Sequence, residues 1–143
     1  MHKHSLTFRA LLPLLVVCSV ILAGLGGCSQ GEKPLPAVFG VQVEHGAGDQ
    51  AGRLLLTWDA STDNRVEGYA IYRAEEGLGS TPGKKSEFVL QAVTFATRYM
   101  DEEVHTTELY PSFQYYYQIQ VIAEDGTRGP MSEEVSIEYS PVQ

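Results

Sequence analysis

Residues 58–73 read WDASTDNRVEGYAIYR, and the order of residue types in this stretch decides the fold. In Val66–Arg73 (VEGYAIYR) the side chains alternate, with Tyr69 and Ile71 together on one face, which is the period of a half-buried strand. The Asp-Ala-Ser-Thr-Asp-Asn cluster before it is turn chemistry, because short polar side chains hydrogen-bond their own backbone. Before that, Arg53–Trp58 (RLLLTW) puts Leu54, Leu56 and Trp58 on one face of a second strand. Trp58 is the only tryptophan, and at an inward position its ring can fill the space between two sheets.

Working outward, the same two-residue period recurs in short runs separated by turn residues. Ala37–Glu44, Phe88–Thr94, Thr97–Asp101 and Val135–Tyr139 read as strands, and Pro141 ends pairing. Tyr115–Ala123 (YYYQIQVIA) alternates most clearly, placing Tyr115, Tyr117, Ile119, Val121 and Ala123 inward and Tyr116 outward. Seven short strands with no helical period between them predict an all-β fold, a seven-stranded antiparallel sandwich. The expected core is built on Trp58, Tyr69, Ile71, Tyr117, Ile119 and Val121.

The first 27 residues have a different character. Met1–Arg9 is basic, and Ala10–Gly27 is apolar and ends in small residues, the layout of a secretory signal helix. An uncleaved membrane anchor is the other reading. At 18 residues, however, the run sits at the lower limit for spanning a bilayer, and Pro13 and its glycines disfavour a helix. At its end, Leu25-Gly26-Gly27-Cys28 resembles the lipobox of bacterial lipoproteins. The resemblance implies diacylglycerol on the Cys28 sulfur, cleavage before Cys28 and acylation of the new amine. Such a protein is tethered to a membrane of the cell envelope, each buried methylene contributing about 0.8 kcal/mol. Ser29, rather than Asp, after the cysteine resembles the outer-membrane sorting signal of a two-membrane envelope. The expected organisation is a signal peptide over 1–27, a lipidated cysteine and polar linker over 28–35, a sandwich domain over 36–140 and a tail over 141–143. The linker is expected to stay extended and unpacked.

The sandwich carries a second resemblance. Trp58–Asn64 followed by Val66–Arg73 resembles the B strand, B–C loop and C strand of bacterial fibronectin type III modules. Tyr99-Met100-Asp101 resembles their Tyr-x-Asp at the E strand. Tyr117–Asp125 resembles their F strand, and Gly129 with Ser132 the start of G. This implies an immunoglobulin-like sandwich with a tyrosine corner at Tyr117, or else at Tyr115, whose hydroxyl bonds backbone near Leu109-Tyr110-Pro111. Glu102–Gln114 is longer than the usual E–F connection, and loops on a rigid scaffold are where binding is expected.

Charge and cysteine count exclude several functions. All 18 acidic residues follow position 27 and face 8 basic ones there, a formal charge of −10. Nucleic acid is not an expected partner, because phosphate binding depends on Lys and Arg. With Cys18 in the signal and Cys28 lipidated, the domain has no thiol for a disulfide, a zinc site or a nucleophile.

The remaining motifs give no cofactor or metal. Gly77–Lys85 (GLGSTPGKK) lacks the glycine of a phosphate-binding loop, since position 78 is leucine, and Lys85 replaces its hydroxyl residue, so no nucleotide is expected. Asp101, Glu102, Glu103, His105 and Glu108 form the densest ionisable cluster and read as a solvated acidic loop, because adjacent carboxylates on a strand point to opposite faces. Asp59, Asp63 and Asn64 read as turn residues rather than a calcium loop. No serine or histidine is placed as in a catalytic triad, so no enzyme is expected.

The candidate binding surface is therefore the outer sheet face at Tyr72 and Tyr116. There tyrosines can anchor a protein, stack on a glycan or brace the sheet. The expected function is a tethered module for protein interaction or adhesion. The alternatives are a glycan binder or an accessory subunit of an envelope complex.

Overall fold

A computed structural model describes residues 33–141. The segment read as a secretory signal, Cys18, the lipobox-like Leu25, Gly26 and Gly27, and Cys28 lie outside the described residues. Seven strands form: β1 (Gln42–His45), β2 (Leu54–Thr57), β3 (Val66–Leu78), β4 (Val89–Thr94), β5 (Arg98–Asp101), β6 (Ser112–Ala123) and β7 (Val135–Tyr139). They pair in the order β1-β2-β5 and β4-β3-β6-β7, with every pairing antiparallel. The described residues form an all-β sandwich of seven strands.

The core lies between the sheets and follows the alternation. Leu54 and Leu56 come from β2, Tyr69 and Ile71 from β3, and Tyr115, Tyr117, Ile119 and Val121 from β6, with Trp58 immediately after β2. The Trp58 and Tyr69 rings meet edge to face at 5.4 Å, an arrangement favoured by the ring quadrupoles. Among the described residues, the Trp58 indole N–H lacks a hydrogen-bond acceptor.

Three boundaries differ from the sequence reading. The first strand begins at Gln42 rather than Ala37, because Gly40 takes a φ of +64° that breaks the extended run. A β-carbon at Gly40 would also run into the Asp59 carboxylate. The third strand runs on to Leu78, and the sixth starts at Ser112, because the two strands pair continuously as far as Leu78 opposite Ser112. Gly77 permits this extension: the Tyr110 ring lies on its α-carbon, where a side chain would stand.

The linker is also not free of the domain. Leu35 is buried in the core, and the Arg65 guanidinium donates to the carbonyls of Lys33 (2.7 Å) and Pro34 (3.5 Å). One leucine in a polar stretch suffices, because Arg65 satisfies the backbone beside it. Asp63 holds Arg65 in place through Oδ2 (2.7 Å) and Oδ1 (3.0 Å) and also accepts from the Arg65 backbone N–H. These hydrogen bonds lower the Asp63 pKa to about 2. Its folded pKa lies below its unfolded value, so the unfolded chain binds the proton first as pH falls. The stabilisation is complete above the unfolded pKa of 3.8 and is lost as pH falls from there toward 2. Urea unfolding across this window is expected to show a steeper acid loss for the native chain than for Asp63→Asn.

Candidate interaction surface

Cross-strand register assigns the outer face of the four-stranded sheet. Tyr72 stands opposite Leu90 on one side and Gln118 on the other, and Ala70 opposite Val93 and Gln120. Ala74 faces Tyr116. Tyr72 and Tyr116 therefore share this face on adjacent strands, as diagonal neighbours.

Neither ring is open. The Arg128 guanidinium lies 6.0 Å from the Tyr72 ring centre and donates to its hydroxyl. The Lys85 ammonium sits 3.9 Å from the Tyr116 ring centre and also bonds Glu134 at 2.6 Å. The Tyr116 hydroxyl donates to Glu76 (2.8 Å), and this bond, with burial and the carboxylate charge, raises the Tyr116 pKa. Both aromatic faces that would stack on a sugar are thus covered by cations from the loops. Gln118 and Gln120 donate to the carbonyls of Ser132 and Gly129, fastening the chain between β6 and β7 onto the same face.

The exposed apolar surface lies elsewhere, along β4. Val89, Leu90 and Val93 are 59%, 43% and 53% exposed, and Phe95, just past the strand, is 82% exposed. β4 pairs only with β3, so its other side is a free sheet edge. A bulge at Gln91 shifts the register, so that Ile71 faces Ala92 while Tyr72 faces Leu90. The extra residue brings Leu90 and Val93, which a regular strand would place on opposite faces, onto the same outer face. Sequence reading identified the strand but not this strip, because exposure depends on which strand ends at an edge.

The acidic cluster divides in two. Asp101 is fully buried, contrary to the solvated-loop reading, and joins the two sheets. It accepts from Arg73 Nη1 at 2.8 and 3.0 Å, from the Tyr117 hydroxyl at 2.7 Å and from the Glu103 N–H at 3.0 Å. Burial works against the Arg73 charge, but the hydrogen bonds and charge of Asp101 outweigh it and raise its pKa. Burial, with the neighbouring Asp101 charge, pushes the Tyr117 hydroxyl far above its usual value. Glu102 and Glu103 stay exposed. Among the described residues, no group of three or more His, Cys, Asp or Glu side chains could hold a metal ion.

The tyrosine that bonds backbone upstream is Tyr115, not Tyr117, and its partner is His105. Its hydroxyl accepts from the His105 N–H (2.9 Å) and donates to the His105 carbonyl (3.2 Å). β6 enters the sheet at Ser112, so Tyr115 sits level with the E–F connection. Tyr117 lies deeper, opposite Arg73 and within reach of Asp101.

The third fibronectin III domain of human KIAA0343 protein has the same fold, with a TM-score of 0.51 and 20% identity over 83% of this chain and 92% of that one. The twitchin kinase region of C. elegans matches with a TM-score of 0.53 and 15% identity over 77% of this chain and 17% of that one. The fold is that of a fibronectin type III domain. A myokine structure is similar at 23% identity, over 77% of this chain and 100% of that one, with a TM-score of 0.49. No family model and no curated protein matches the chain. At these identities the fibronectin type III likeness concerns fold, since one sandwich scaffold hosts many roles.

Proposed function

We propose that this protein is a non-catalytic lipoprotein of the cell envelope, anchored by lipid on Cys28, whose fibronectin type III-like domain docks another protein chain. The observation that carries the docking is the exposed apolar strip of Val89, Leu90, Val93 and Phe95 along a free sheet edge. Isolated apolar residues on a surface need no explanation, but four of them within seven residues, beside unpaired backbone groups, are a binding feature. The covered rings of Tyr72 and Tyr116 favour a protein over a glycan, since a sugar would have to displace Arg128 and Lys85. An accessory role in an envelope complex is one form of the same docking.

The anchoring rests on the basic start, the apolar run and Leu25-Gly26-Gly27-Cys28. Ser29 supports an outer-membrane destination where the envelope has two membranes.

The test combines metabolic labelling with cross-linking. The wild type grown with radiolabelled palmitate is expected to carry label and sediment with membranes. Cys28→Ala is expected to carry none. Label retained in Cys28→Ala, or absent from the wild type, refutes the anchor. A photo-cross-linking residue at Val93 is expected to capture protein in intact membranes, and one at Glu138 on the opposite sheet edge is not. Equal capture at both positions, or at neither, refutes docking at β4.

A further inference from the structure

We infer that the β4 edge pairs with the β4 edge of a second copy of this chain, joining two four-stranded sheets into one across a two-fold axis. This rests on the docking surface proposed above and names its occupant.

The two sheets have four edges, β1, β5, β4 and β7. Natural sandwiches block edges with charge, because an edge strand offers unpaired N–H and C=O groups to any passing strand. Three of these edges are blocked in this way. β1 carries Glu44, β5 carries Arg98, and β7 carries Glu138 after Glu133 and Glu134. β4 is not: from Phe88 to Thr97 (FVLQAVTFAT) there is neither a charge nor a proline.

An uncharged edge suits a copy of itself. In an isologous antiparallel contact, residue i meets j while j meets i, so charges near the axis repeat on both sides. The chain has a formal charge of −8, and its acidic surfaces repel their own copies. The β4 edge does not.

The bulge completes the match. Centring the pair between Gln91 and Ala92 sets Leu90 opposite Val93 of the copy, and Val93 opposite Leu90. The Gln91 bulge has already placed both residues on the outer face. Each pair is then apolar against apolar on one continuous surface. Without the extra residue, this register would set an outward side chain against an inward one. The contact is closed, because each chain contributes its β4 edge and the other edges carry charge.

The test is a charge swap read by sedimentation equilibrium of the full chain in mild detergent, with circular dichroism to confirm folding. The wild type is expected to be dimeric. Leu90→Lys alone and Val93→Glu alone each set a charge against an apolar residue at two symmetric places, and are expected to weaken the dimer by about a hundredfold. The double variant sets opposite charges across both pairs and is expected to regain dimerisation. A monomeric wild type, a dimer indifferent to either single change, or a double variant no better than the singles overturns the inference. If cross-linking at Val93 captures only a different protein, the second copy is refuted while docking at β4 stands.

Discussion

Asp101→Ala destabilises the domain by about 3–5 kcal/mol, a loss typical of removing one partner from a buried ion pair. The alanine strands Arg73, whose side chain is 12% exposed, and removes the acceptor of the Tyr117 hydroxyl. Neither group reaches water easily, so each bears the cost of an unmet polar group. Glu75 Oε2 lies 4.0 Å from Arg73, too far to replace a bond of 2.8 Å. The Arg73→Met/Asp101→Leu double variant is expected to lose less than the sum of its single changes, because a buried pair exchanged for apolar side chains leaves no stranded charge. The measurement is a double-mutant cycle by urea unfolding. Additive losses would show that Arg73 and Asp101 act independently, and the bridge would then be only a feature of geometry.

Leu56→Ala has the second largest effect, about 2–5 kcal/mol, while Leu55→Ala costs at most about 1 kcal/mol. Leu56 is fully buried between the sheets, and its neighbour Leu55 is half-buried on the other face of the same strand. The two substitutions remove the same atoms one position apart. Their difference therefore measures which face of β2 meets the core, plus the cavity left behind. Equal losses would contradict the register of β2 with β5, which sets Leu56 against Tyr99 and Leu55 against Met100.

How much of this was legible in the sequence follows from which interactions are local. The alternation in Arg53–Trp58 and in Tyr115–Val121 gave the strands and their inward faces, because a strand's side chains must alternate whatever lies beyond it. The reach of β3 past Arg73 was not legible. Arg73 and Glu75 occupy inward positions, and charged residues there interrupt the apolar pattern. The same parity holds the missed signal: Arg73 follows Tyr69 and Ile71 on one face, and Asp101 ends the Tyr-x-Asp motif. Each invited a search for an opposite charge on the facing sheet. The role of Leu35 was hidden for a related reason, since a single leucine in a polar stretch has no period to reveal it.

For the described residues, the sequence by itself determined an all-β sandwich of seven strands and the identity of most core residues, because periodicity is written along the chain. Only the tertiary structure decided that Asp101 is buried against Arg73 and Tyr117, that cations cover Tyr72 and Tyr116, and that β4 is left as an uncharged edge. Those facts depend on which strands become neighbours across and between the sheets. Pairing over long sequence separation leaves no period in the residues that make it.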